Sequence, residues 1–145
     1  MGLRHRGRQI ALQVLYQWDV AGISPEEALS AYRDHLSPPE GAFSFARELV
    51  EGVREKRDLL DEIIRKYSRN WRLERMLATD RNILRLAVYE LLFRPDIPPR
   101  VSINEAVELA KEFGSEDSPA FVNGILDAVY HHEVGNEGNN RSLSA

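Results

Sequence analysis

Three arginines, a histidine and a tyrosine near the start of the chain are the residues whose types and spacing best suit chemistry. Residues 1–18 hold Arg4, His5, Arg6 and Arg8 and no carboxylate; Asp19 is the first acid. On a helix turning about 100° per residue, His5, Gln9, Gln13 and Tyr16 fall within about 80° of one another. Arg4 and Arg8 flank that face on one side and Arg6 on the other. Arginines in a first helical turn oppose the helix dipole, so helix stability does not account for them. Their guanidinium forks fit phosphates, and the Tyr16 ring offers a surface on which an unpaired base can stack. Cations interleaved with an aromatic are what single-stranded RNA binding needs. The plainer reading is a solvated basic terminus, and arginine is favoured throughout this chain, at 16 residues against three lysines.

A second candidate is Gly114-Ser-Glu-Asp-Ser-Pro-Ala-Phe-Val-Asn-Gly124. Free N–H groups at the start of a helix there can hold a phosphate or a base edge, and Asp117 can accept hydrogen bonds from base amines. The structural alternative makes Gly114 a C-cap, Ser118 an N-cap, Phe121 and Val122 core, and Gly124 a point of close helix contact. Asp80 suits the start of the apolar helix that follows it. Arg81 and Arg85 share a face and read either as a solvated stripe or as a partner contact. Adjacent His131 and His132 point about 100° apart on a helix, which does not make a metal site. No nucleophile motif and no phosphate loop frame the remaining serines, histidines and acids. Cysteine is absent, which excludes disulfides, thiol chemistry and cysteine-containing zinc sites. The expectation is a non-catalytic protein with no cofactor and no metal.

The bulk numbers agree with a binding protein of limited reach. A length of 145 residues, 43% hydrophobic and 29% charged, suits one soluble globular domain. No apolar window approaches a membrane span, and no signal-peptide core follows the basic start, so a cytoplasmic location is expected. The net charge is −4. Residues 19–145 hold all 23 acids against 16 bases, which leaves a basic tip on an acidic body.

The elements that must position these residues are helical, with almost no strand alternation. The spacing predicts about seven helices in two packed small bundles, roughly residues 1–66 and 71–132. The first spans Leu3 to Val20, with Ala11, Val14, Leu15 and Trp18 as its core stripe. Ser24-Pro25-Glu26-Glu27 is a capping box that opens the second. After the Pro38-Pro39 break, one helix is predicted over 42–56 and another from Asp58. A short helix or turn carries Trp71, Leu73, Met76 and Leu77. Asp80–Phe93 is apolar over much of its circumference and so central. Ser102-Ile-Asn-Glu105 reads as a further capping box for a helix ending at Gly114, and Ser118-Pro119 opens the last helix, to about His132. Residues 133–145 are polar and predicted to be disordered.

Asp80-Arg-Asn-Ile-Leu-Arg-Leu-Ala-Val-Tyr-Glu-Leu-Leu-Phe93, Ile97 to Gly114, and Phe121-Val-Asn-Gly-Ile-Leu-Asp127 together closely resemble the NusB family of bacterial transcription antitermination factors. Ala11-Leu-Gln-Val-Leu-Tyr-Gln-Trp18 adds weaker support. The resemblance covers about residues 3–132. It implies an all-α pair of small bundles that binds boxA-type single-stranded RNA with the ribosomal protein NusE. It further implies participation in antitermination complexes on RNA polymerase, including during ribosomal RNA transcription. It maps RNA contacts onto Arg4, His5, Arg6, Arg8, Tyr16, Asp117 and Phe121, and a NusE contact onto Asp80. A homodimer is left open. Two departures lower the positive charge: His5 and Gly7 interrupt an arginine run, and Ala120 stands where some relatives carry lysine. Modest RNA affinity in isolation is therefore expected, with a salt slope of roughly 0.7 per phosphate contact.

Two other functions fit the same chain. One is a protein-interaction module in which Arg4, Arg6 and Arg8 are irrelevant. The other is the accessory domain of an RNA cytosine methyltransferase, for which a chain ending at Ala145 is expected to leave no room for the catalytic domain.

Overall fold

Six helices build residues 2–135, the part of the protein that a computed structural model describes. They are α1 (Leu3–Ala21), α2 (Pro25–Leu36), α3 (Glu40–Tyr67), α4 (Ala78–Phe93), α5 (Pro99–Phe113) and α6 (Ser118–Val129). A 3-10 turn, Leu73–Arg75, joins α3 to α4, and a π turn, Tyr130–Val134, extends α6. The described residues contain no strand, as expected. No helix among them is long and apolar enough to cross a membrane.

Local chemistry sets most of the boundaries. Gly22 ends α1 in the left-handed region at φ 70°, where glycine carries no side-chain penalty. The Glu27 N–H donates to Ser24 Oγ at 3.2 Å, with Pro25 in the first turn of α2. Three expectations differ from the structure. Residues 40–67 form one helix, because the charged run Lys56-Arg57-Asp58 lies along its outer side and does not break it. Ser102 caps nothing: Pro98-Pro99 starts α5 three residues earlier, and the buried Ser102 hydroxyl donates to Glu90 instead. Ser118 is the first residue of α6, with Asp117 at the N-cap position making no side-chain cap.

One hydrophobic core runs from Ile10 in α1 to Val129 in α6. α4 lies within it, buried at Ile83, Leu84, Leu86, Ala87 and Val88, and touches α1, α3, α5 and α6. Gly52 of α3 admits the Tyr89 ring of α4; a Cβ on Gly52 would sit inside that ring's contact distance.

A polar network pins α4 to its neighbours. Asp19 of α1 accepts hydrogen bonds from Arg81 at 2.7 Å, Asn82 at 2.9 Å and Arg85 at 3.2 Å. Arg85 also donates twice to Asp61 of α3, at 2.8 and 3.0 Å. Arg81 caps the carbonyls of Leu73 and Met76 at 3.0 and 3.3 Å. These arginines are therefore neither a solvated stripe nor a partner contact; buried charges need this degree of pairing. Burial pushes the Asp19 carboxyl up, but the bonds from Arg81 and Asn82 and the charge of Arg85 outweigh it, and the net shift is downward.

Of the expected disordered tail, 136–145 lie outside the described residues. Glu133 accepts from Lys66 at 3.0 Å and from the Tyr67 hydroxyl, and Val134 packs against the core. The first two residues of that segment are thus docked.

Candidate nucleic-acid interface

The basic start of α1 is divided by the helix into an inner and an outer side. Arg8 points inward. Its side chain is 3% exposed, and its Nε and NH2 groups donate to the Glu90 carboxylate at 2.9 and 2.8 Å. Ser102 Oγ donates to the same carboxylate at 2.8 Å. Arg8 is a structural cation, and the expectation of a direct RNA contact is corrected: its guanidinium is already spent on a buried acid.

His5 is held as well. Its Nδ1 lies 2.7 Å from Glu105 and its Nε2 lies 3.0 Å from Glu112, both on α5. The hydrogen bond to Glu105 raises the imidazole pKa; burial opposes it, and the charges of the two glutamates add to it. Gln9 donates to Glu112 at 2.6 Å beside it. The face predicted to read RNA is at this end a strap between α1 and α5.

Arg4 remains outside, and Arg6 is half-buried. Arg4 is about half exposed and meets Asp96 only at 3.5 Å. Asp96 is held mainly by Arg94, whose hydrogen bonds pull its carboxyl down to about 2. Arg4 is therefore an accessory partner that a phosphate can replace. Arg6 lies over the Tyr32 ring at 5.8 Å and donates to Gln9 at 3.4 Å. Gly7, which breaks the arginine run, lets α1 close onto α3: a Cβ there would fall 2.8 Å from the Phe45 ring and 2.9 Å from the Ala42 carbonyl.

Further along α1, Tyr16 is 42% exposed, and across from it Phe113, at the end of α5, is 40% exposed. With Leu12, Gln13, Gln17 and Thr79 they line a shallow groove. Beyond Thr79, the first turn of α4 leads into a second cavity of about 320 Å³. Asp80, Asp117 and Phe121, far apart in sequence, meet there with Trp71, Arg75 and Ser118. Trp71 is 58% exposed and meets Phe121 edge to face at 6.0 Å. Asp80 is only 6% exposed, and its Oδ1 has no protein hydrogen-bond partner. Burial raises the Asp80 pKa, and a hydrogen bond from the Ser118 hydroxyl opposes it.

The 65–75 segment includes part of the short helix or turn expected around Trp71. It carries Arg65, Lys66, Arg69, Arg72 and Arg75 around Trp71, the same interleaving of cations and aromatic that drew attention to the N-terminus. Glu74, its one acid, is taken by Arg65 at 2.9 Å. Phe113 was missed because it ends an amphipathic helix and reads as core.

A family model described as the NusB family matches residues 5–131. The chain belongs to the NusB family. It is 55% identical over 133 residues to the transcription antitermination protein NusB of Myxococcus xanthus (strain DK1622), spanning 89% of this chain and 95% of that protein. T. maritima NusB superposes with a TM-score of 0.84 at 38% identity, covering 92% of this chain and 94% of that one. A NusB crystallised with NusE and dsRNA superposes at 0.81 with 32% identity, covering 89% and 96%. The antitermination resemblance read from the sequence thus stands.

Proposed function

We propose that this chain is the RNA-binding subunit of a transcription antitermination assembly, acting without catalysis in the cytoplasm on boxA-type RNA together with a NusE-like ribosomal protein. The observation that carries this reading is a set of accessible cations and aromatics: half-exposed Arg4 and partly buried Arg6 at the start of α1, the groove lined by Tyr16 and Phe113, and the cavity lined by Trp71 and Phe121. A related NusB has been crystallised with NusE and RNA. The acidic remainder suits a basic protein partner and discourages general coating of nucleic acid. In this proposal Arg4, Arg6, Tyr16, Asp117 and Phe121 face the RNA, whereas His5 and Arg8 hold the edge in place. Residues 3–132 act as one unit, with α1–α3 and α4–α6 as its halves.

The test is fluorescence anisotropy of a labelled boxA-like single-stranded RNA, a scrambled strand and a duplex, with and without NusE, over a salt series. Preference for the boxA-like strand that strengthens with NusE supports the proposal. Equal binding of all three RNAs, unchanged by NusE, replaces it with the protein-interaction module.

A further inference from the structure

We propose that His5 is a proton-dependent positioning residue of the RNA edge: its imidazolium ties α1 to α5, and the chain takes up part of a proton when RNA binds. This rests on the RNA-binding function proposed above and adds a proton-coupled step to it. The His5 side chain is 11% exposed, with Nδ1 2.7 Å from Glu105 and Nε2 3.0 Å from Glu112. A neutral imidazole has one N–H and one lone pair, so it can donate to only one of these carboxylates. With both nitrogens aimed at acids, only the charged ring serves both. Among the described residues the backbones of α1 and α5 scarcely meet, so side chains make the bridge. Glu112 directly precedes Phe113, and His5 shares a face of α1 with Tyr16, so the same bridge spaces the two rings of the groove.

The charges around the ring come from four elements. On α5 the hydrogen bond to Glu105 raises the His5 pKa, burial opposes it, and the charges of Glu105 and Glu112 and the hydrogen bond to Glu112 add to it. On α1 the nearest cations are engaged elsewhere: Arg8 with Glu90 of α4, Arg4 over Phe45 of α3 and toward Asp96, and Arg6 over Tyr32 of α2. Glu105 also stands 3.9 Å from Arg8, and Gln9 donates to Glu112. When Nε2 gives its proton to water, the Gln9 amide, 3.3 Å away, can donate to the bare nitrogen. Glu112 then faces a lone pair in place of a donor. The cluster of His5, Glu105 and Glu112 passes from one net negative charge to two, on the helix turn that carries Arg4. A phosphate backbone therefore prefers the protonated edge. By linkage, bound RNA raises the His5 pKa by the same free energy.

The experiment uses the full chain with a boxA-like RNA and a scrambled strand, with and without NusE, between about pH 5.5 and 8.5. Isothermal titration in buffers of different ionisation enthalpy counts the protons taken up, and NMR shifts of the His5 ring follow its titration in the free and bound chain. Wild type is expected to take up a fraction of a proton near the His5 midpoint. Its affinity should fall about fivefold as pH rises through that midpoint, the effect of one unit charge near a phosphate at a protein surface. His5→Gln keeps every other titrating group, and should show the weaker, high-pH affinity throughout and correspondingly less proton uptake. Glu112→Gln removes one acid from the ring, so it should move the midpoint of the affinity profile to lower pH and strengthen binding at high pH. A purely structural strap predicts weaker binding of Glu112→Gln at every pH instead. If wild type and His5→Gln change alike with pH and take up the same number of protons, the proposal is overturned while the RNA-binding function stands. If His5 titrates at or below the ordinary histidine value, the imidazolium is absent at neutral pH and the proposal falls as well. If the boxA-like strand is never preferred to the scrambled one, at any pH, the function itself fails, and this proposal with it.

Discussion

Two residues four positions apart, Arg4 and Arg8, show how little a residue type says about its role. Both were expected to meet RNA, yet one is half exposed and the other lies against Glu90 in the interior. Arg8→Gln leaves Glu90 with only Ser102 as a strong donor, and breaking a buried pair costs about 3–5 kcal/mol. Urea denaturation should show a loss of that order, with the salt slope of RNA binding unchanged. Arg4→Ala and Arg6→Ala should do the opposite. Each should lower the slope by roughly 0.7 per lost phosphate contact and leave the unfolding midpoint close to wild type. His5 contributes through protonation. Because Glu105 and Glu112 raise its folded pKa, the folded state holds the proton more tightly than the unfolded chain does. That stabilisation is complete below the ordinary histidine value of about 6.5 and fades as pH climbs through the raised folded value. Melting temperature against pH should therefore fall in this window for wild type more than for His5→Gln. Parallel curves would remove the imidazolium strap from the account.

At the level of helices, the sequence was most legible where punctuation is local. Ser24-Pro25 opens α2, and Pro98-Pro99 separates α4 from α5, because capping and ring closure depend only on neighbours in the chain. It was least legible where a residue serves a distant one. Ser102 has the spacing of a cap but bonds to Glu90, and Arg81 and Arg85 have the spacing of a surface stripe but converge on Asp19 and Asp61. Gly7 belongs to the same class. Read along the chain it weakens a helix and dilutes a basic run, whereas across the α1–α3 contact it is the residue that lets the helices close. Helix propensity alone favours Gly7→Ala by about 1 kcal/mol. The contacts with the Ala42 carbonyl and the Phe45 ring should outweigh this, since overpacking a close contact costs about 1–3 kcal/mol. A stability gain in thermal or urea unfolding would show that α1 can shift away from α3 at no cost.

Taken as a whole, the molecule buries Arg8 and Arg85 in ion pairs and leaves many other cations exposed, Arg33, Arg47, Arg54 and Arg57 among them, so positive charge alone does not mark the proposed RNA edge. The N-terminal half of that edge was readable from sequence because its cations lie within a few residues of one another. The Trp71–Phe121 end was not, because its parts come from residues 71–80 and 115–121 and meet only through the packing of α4 against α6. An edge with two separated stations has a consequence for length. A short RNA can occupy one station, and a longer one engages both, the second at the effective concentration set by the first. Affinity should therefore rise stepwise as a boxA-like strand is lengthened. Below the step, Arg4→Ala with Arg6→Ala and Trp71→Leu should each affect only the oligonucleotides that sit at their own station. Above it, both changes should weaken the same RNA, and together they should add, because the two stations share no side chain. Isothermal titration across a ladder of strand lengths reads this directly. A smooth rise with length, equally sensitive to both sets of substitutions throughout, would mean that the RNA does not run along this edge but clusters at a single place on it.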